Sequence, residues 1–188
     1  MGTTLRTRVS AFEQSLDAVR RLLAGEVVSA GGRFTFREAR VALRPAEPVE
    51  VWIGASAPPA IDRAARLGDG FLAAPGATPA QAREQLRHFR ERCAAHGRLP
   101  AAIAIRRDVY VADSRADAEA ATGAIVRAGY RGFDPGALVI GTIDEVVERF
   151  RRLGDLGYTD VIVRHVTDAQ AYVLASLARL AEVRTALA

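Results

Sequence analysis

The segment from Val49 to Thr78, VEVWIGASAPPAIDRAARLGDGFLAAPGAT, leaves the chain few folds to choose from. Val49-Glu50-Val51-Trp52-Ile53 is a β-branched and aromatic run of buried-strand type. Gly54-Ala55-Ser56-Ala57 then turns the chain with side chains too small to hide its backbone. Pro58 and Pro59 suit the first turn of a helix, where a missing N–H costs nothing. Ile61, Ala64, Ala65 and Leu67 continue that helix until Gly68 stops it. Asp69 to Ala74 reads as a second strand, closed by Pro75-Gly76. Strand, short turn, helix and strand make a parallel βαβ unit, so the fold class is α/β.

The turn also has a chemical reading. A helix N-terminus offers unpaired N–H groups and a partial positive charge, which favour a phosphate. Gly54 lets a ligand approach the backbone, and Ser56 adds a hydroxyl donor. The same small residues equally suit a plain turn in any α/β protein, so spacing alone does not decide.

Trp52-Ile53-Gly54-Ala55-Ser56-Ala57 followed by Arg63-Ala64-Ala65-Arg66-Leu67-Gly68-Asp69-Gly70 resembles the signature of the bacterial-luciferase-like flavin and deazaflavin oxidoreductases. Residues 139–164, VIGTIDEVVERFRRLGDLGYTDVIVR, resemble that family's C-terminal signature, and the similarity extends over nearly the whole chain. The resemblance implies a TIM-barrel fold, here a partial (β/α) barrel of about strands five to eight with their helices, as one domain over residues 1–188. It implies FMN or a deazaflavin (coenzyme F420) as cofactor, and oxidoreductase or monooxygenase chemistry on a small molecule. Gly54, Ala55, Ser56 and Ala57 are then the phosphate-binding residues, with Ala55 standing where a second glycine is usual. Arg106, Arg107, Arg164 and His165 fall at strand ends expected to face one barrel mouth. Arg164 is a candidate partner for an anionic group and His165 a candidate acid/base, so these two are the candidate catalytic residues. All four also suit structural ion pairs or surface charge.

Composition narrows the partners. The 188 residues carry a net charge of +4, and every one of the 26 basic residues is arginine. The arginines are interspersed with acids along helices and few aromatics accompany them, which argues against nucleic acid. No run approaches the roughly 20 apolar residues of a membrane span, and no signal-peptide pattern opens the chain. One cysteine, Cys93, excludes an internal disulfide and suits the cytoplasm.

The rest of the chain reads as alternating elements. Thr7 to Ala24 is an amphipathic helix with Val9, Phe12, Leu16, Val19 and Leu23 on one face. Val27 to Val41 is hairpin-like, turning at Gly31-Gly32 with Arg33 to Phe36 as an extended piece. Thr78 and Gln81 form a capping box for a helix burying Ala82, Leu86, Phe89 and Cys93, with His88 and His96 solvated. Ala101 to Ala112 is a long strand interrupted by Arg106-Arg107-Asp108. Ser114 caps an alanine-rich helix, Tyr130 to Gly136 is a loop, and Thr142 with Glu145 caps another helix. Asp160 to Val163 is a strand, and a last helix capped by Asp168 buries Tyr172, Leu174, Leu177, Leu180 and Ala181.

Four barrel strands are thus expected, near residues 50, 71, 105 and 162. A closed barrel of this kind needs eight and about 250 residues. The chain is therefore expected to pair with an N-terminal half-barrel, to associate with a second copy of itself, or to be a fragment of a longer protein. The alternative is a catalytically silent coenzyme-binding or assembly module.

Overall fold

The computed structural model describes residues 4–32 and 34–188, which form two compact units divided between Val49 and Glu50. In the first unit, helix α1 (Arg8–Leu23) precedes an antiparallel pair, β1 (Val28–Ala30) and β2 (Phe36–Ala39). Gly25, at φ +85°, ends the helix turn, and Arg44 reaches back to donate to its carbonyl at 3.4 Å. Arg33, expected in an extended piece, lies outside the described residues. The expected apolar stripe of α1 is not buried: Val9, Phe12 and Val19 stay exposed, and only Ala11 is fully covered. A unit this small has too little surface of its own to cover a whole helix face.

The second unit alternates strand and helix. β3 (Trp52–Ala55), α2 (Pro58–Leu67), β4 (Gly70–Ala73), α3 (Pro79–Ala95) and β5 (Ala102–Ala112) come first. After them come α4 (Arg115–Arg127), two short 3-10 turns at Tyr130–Gly132 and Pro135–Ala137, and β6 (Val139–Thr142). The chain ends with α5 (Ile143–Leu156), β7 (Asp160–His165) and α6 (Gln170–Leu187). All pairings in this sheet are parallel. β5 is its hub: β4 pairs with Ala102–Ile105, β7 with Ala104–Val109, and β6 with Val109–Ala112. The four expected strands are present, and β6 is an addition that the sequence reading did not contain.

Register sorts the side chains into two faces, because paired residues of neighbouring strands point the same way. Ile53, Phe71, Ile103 and Ile105 share the face that α2 and α3 cover, where Phe71 stacks on Phe89 at 4.6 Å between ring centroids. Trp52, Gly54, Leu72, Ala104, Arg106 and Asp108 lie on the opposite, inner face, joined across β7 by Ile162 and Arg164. Parallel strands with helices on one side are the arrangement expected of part of a (β/α) barrel.

The Leu67-Gly68-Asp69-Gly70 motif is the joint between α2 and the sheet. A Cβ at Gly68 would sit 2.7 Å from the Gly70 carbonyl oxygen and 2.8 Å from that of Ala64. At Gly70 it would meet the Trp52 ring at 2.7 Å. Asp69 accepts from the Val51 N–H at 2.9 Å, and Arg98 donates to the Arg66 and Gly68 carbonyls at the helix end. Helices α2 and α3 are tied by Asp62, which accepts from Arg92 and lies 3.1 Å from His96. The Arg92 hydrogen bond, with help from His96, holds the Asp62 carboxyl below its usual range. His96 is therefore half-buried at a helix contact rather than solvated.

The stripe of α3 buries as expected, through Ala82, Leu86, Phe89 and Cys93. Helix α6 does not. Its buried residues are Ser176 and Val183, while Tyr172, Leu174 and Leu177 are exposed. Ser176 turns that face inward by accepting the Val111 N–H at 2.9 Å. Its expected cap, Asp168, does not serve: the N-cap position is Ala169, without a side-chain cap, and the Thr167 hydroxyl accepts from the Ala169 N–H at 3.2 Å in the turn before the helix.

Candidate functional site

Gly54 to Ala57 lie at the C-terminal end of β3, where Gly54, Ser56 and Ala57 are exposed. The backbone is extended at Ala57, which starts α2 and accepts from the Ala60 and Ile61 N–H groups. Pro58 and Pro59 remove two of the four donors that a helix N-terminus normally offers, and Ala60 has spent a third. The groups left to face an anion at this point are therefore the loop N–H groups, the Ser56 hydroxyl and the helix dipole rather than the first helical turn. A Cβ on Gly54 would meet nothing nearer than the Leu72 carbonyl oxygen at 3.9 Å. That glycine is not demanded by packing; it leaves space on the inner face.

Two strands away, the polar interruption of β5 divides by pleat. Arg107 points to the helix side, 3% exposed, and donates to the carbonyls of Pro75 (3.1 Å) and Ala77 (2.9 Å). It is a brace for the loop between β4 and α3, and burial pulls its guanidinium below its ordinary range. Arg106 and Asp108 point to the inner face. Asp108 is wholly buried and accepts from Arg106 Nε at 3.1 Å and from the Tyr130 hydroxyl at 2.8 Å. Burial first, then the Asp108 carboxylate, pushes the Tyr130 hydroxyl up. Arg106 Nη2 is shielded from solvent without an acceptor.

Tyr130 is delivered by a strained loop, with left-handed backbone at Gly129 (φ +83°), Arg131 (φ +50°) and Gly132 (φ +67°). Phe133 of the same loop packs so closely over Gly76 that a Cβ there would lie 2.7 Å from its ring. The loop thereby covers the ends of β4 and β5. The sequence reading left Tyr130 in a loop without a role. Its signal was indirect: a fully buried carboxylate inside a strand needs donors, and a tyrosine ahead of two glycines supplies one.

Arg164 and His165 are adjacent in β7, so they face opposite sides. Arg164 is paired in register with Asp108 on the inner face and is exposed. His165 is paired with Val109 on the helix side. Its Nε2 is shielded without a partner, and burial pulls its imidazole below the usual range. The expectation that Arg106, Arg107, Arg164 and His165 share one mouth is corrected to two and two, because a strand turns successive side chains to opposite faces. Arg106 and Arg164 come together on the inner face; Arg107 and His165 lie behind the sheet.

Comparison with known proteins accords with this geometry. Residues 1–137 match the family model described as luciferase-like monooxygenase. A curated F420-dependent glucose-6-phosphate dehydrogenase of Nakamurella multipartita is 34% identical over 76 residues, 39% of this chain and 22% of that protein. One of Beutenbergia cavernae is 35% identical over 72 residues, 38% of this chain and 21% of that protein. Among solved structures, the monooxygenase RslO1 of Streptomyces bottropensis superposes with TM-score 0.77 at 21% identity, over 95% of this chain and 61% of that one. An F420-dependent secondary alcohol dehydrogenase, solved with an F420–acetone adduct, superposes with TM-score 0.76 at 17% identity, over 100% and 64%. The oxygenating constituent of 3,6-diketocamphane monooxygenase from Pseudomonas putida, solved with FMN, has TM-score 0.67 at 15% identity, over 89% and 60%. This chain thus spans less than two thirds of the length of these structures, and it shares their fold. With its parallel half-barrel and a family match over residues 1–137, the chain belongs to the luciferase-like monooxygenase family.

Proposed function

We propose that this chain is the coenzyme-phosphate-holding part of a flavin- or deazaflavin-dependent oxidoreductase, binding FMN or F420 through Gly54, Ala55, Ser56 and Ala57. The observation that carries this is the exposed loop at the end of β3, where a Cβ on Gly54 would meet only the Leu72 carbonyl oxygen, at an uncrowded 3.9 Å. Support comes from the F420-dependent relatives and from family structures solved with an F420 adduct and with FMN. The residues fit the group: small side chains, a hydroxyl and a helix dipole suit a phosphate, although the two prolines narrow the set of donors. The coenzyme, when bound, supplies hydride or oxygen chemistry. The chain supplies the rest. The loop fixes the phosphate end, the inner face orients what lies across it, and the 129–137 loop shields the ends of β4 and β5 from water.

The exposure of Arg164 and its position on the inner face support a role in meeting an anionic group there. His165, turned to the helices, is given no ligand contact. The test is titration of the purified chain with FMN and with F420, followed by flavin fluorescence. Ser56→Asp sets a negative charge against the phosphate and is expected to weaken binding at least tenfold, about 1.4 kcal/mol. Unchanged affinity in a folded variant overturns the loop assignment.

A second reading, a coenzyme-binding module without turnover of its own, is favoured by one further observation. Ile162 and Val163 of β7 and Leu174 and Leu177 of α6 are exposed, and among the described residues β7 pairs on one side only. Both readings have this chain act with a complementary barrel segment, supplied by another copy, by another polypeptide or by a longer form of this one, because such an edge is prone to association. In a coenzyme-oxidation assay across a panel of acceptors, the chain alone is expected to show little turnover. Efficient, saturable turnover by a sedimenting monomer refutes the need for a partner.

A further inference from the structure

We propose that Arg106 and Arg164 form a second anion subsite, separate from the phosphate loop, which takes a carboxylate or phosphate group of the substrate. The proposal deepens the reading above, resting on the inner face as the ligand-bearing side of the sheet.

The charge balance points this way. On the inner face the register of β5 and β7 puts two arginines, Arg106 and Arg164, next to one aspartate, Asp108. Both oxygens of Asp108 are already engaged, one by Arg106 Nε and the other by the Tyr130 hydroxyl. Asp108 therefore compensates one positive charge and orients Arg106. Arg164, its direct register partner, makes no ion pair among the described residues and lies open to solvent. Arg106 still holds a donor without an acceptor, an uncommon state for a shielded polar atom, and about a quarter of its side chain is exposed (26%). An oxyanion seated between the two guanidinium groups would meet both needs, since the planar guanidinium fork matches carboxylate and phosphate oxygens.

Distance separates this place from the coenzyme loop. From β3 through β4 and β5 to β7 there are three strand spacings, about 14 Å along the sheet at roughly 4.8 Å each. One phosphate does not reach both ends. A coenzyme anchored at Ser56 would thus leave the Arg106–Arg164 end for another molecule, and the reacting groups of the two would meet over Leu72 and Ala104 between them.

The experiment uses the coenzyme-free chain and two probes, inorganic phosphate and acetate, titrated at ionic strength held constant with sodium chloride and followed by thermal melting. Ser56→Asp removes the loop as an anion site, so any saturable stabilisation left in that variant reports the second subsite. Such stabilisation is expected, and adding Arg164→Gln or Arg106→Gln to Ser56→Asp is expected to weaken it at least tenfold. Arg164 is exposed, so its variant keeps the fold even if the Arg106 variant does not. The stronger probe assigns the substrate group: phosphate indicates a phosphate monoester, acetate a carboxylate. Loss of all saturable stabilisation in Ser56→Asp overturns the proposal, as does stabilisation indifferent to Arg164→Gln. A chain that binds these anions through Arg164 yet binds neither FMN nor F420 would sink the coenzyme reading while leaving this subsite standing.

Discussion

Two glycines in one βαβ unit, replaced one at a time by alanine, should fail in opposite ways. At Gly68 the new Cβ would lie 2.7 and 2.8 Å from two main-chain oxygens, those of Gly70 and Ala64. Neither can swing aside as a side chain would. The Ala64 oxygen is held in the last turn of α2, where it accepts from the Gly68 N–H, and Gly70 begins β4. Forced overpacking of this kind costs about 1–3 kcal/mol. For a chain of this size each kcal/mol moves Tm by about 2–4 °C, so a drop of about 2–12 °C is expected. At Gly54 the Cβ would meet only the Leu72 oxygen, at an ordinary 3.9 Å. The Gly54→Ala variant should melt no lower than the parent, since removing a glycine restricts the unfolded chain. Its Cβ would instead intrude where the coenzyme approaches, weakening affinity at least tenfold. Scanning calorimetry and fluorescence titration of the two variants give four numbers. If Gly68→Ala melts with the parent, the steric account of the motif is wrong. If Gly54→Ala binds FMN and F420 as the parent does, that glycine is not at the phosphate.

Arg107→Met should cost about 2–4 kcal/mol in urea unfolding, because the Pro75 and Ala77 carbonyls lose a charged donor, and should leave coenzyme affinity unchanged; weakened binding at full stability would relocate Arg107 to the ligand. Burial pushes the Tyr158 hydroxyl up to about 12, where it donates to the Ala82 carbonyl at 2.8 Å. A folded value above the unfolded one of about 10 means its contribution is complete below about pH 10 and disappears as pH rises toward 12. Ultraviolet titration should show one phenol ionising near that upper limit, and Tyr158→Phe should abolish the step; a step that persists in the variant assigns it elsewhere.

What the sequence revealed was local. The βαβ unit, the Thr78–Gln81 box and the buried stripe of α3 depend on residues within a few positions of one another, and all three formed. The faces of β5 and β7 were also legible, since Arg106-Arg107 and Arg164-His165 are neighbours in strands and must diverge; the family pattern drew attention to the ends of strands and away from the pleat. Helix α6 was not legible. Val173, Leu174, Leu177, Leu180, Val183 and Leu187 surround its axis, so periodicity alone could not choose a buried face, and a single serine bonding to β5 did. The strand β6 was hidden by its brevity, four residues that run straight into a capping box. The pairing of Asp108 with Tyr130 spans 22 residues and needs the tertiary fold to appear.

The hub position of β5 has a dynamic consequence. Its amides are enclosed by three other strands and supplemented by side-chain acceptors from Thr159 and Ser176. They should be among the last in the chain to exchange with deuterium, requiring nearly global opening. The Gly54–Ala57 turn hangs from β3, which pairs on one side only among the described residues, and its amides should exchange through local fraying. The two ends of the inner face therefore differ in persistence: Arg106 and Asp108 ride on the slowest-exchanging segment, while the turn is free to open and close on a faster clock. A ligand phosphate that settles there would register first as slowed exchange at residues 54–57, with β5 already at its limit.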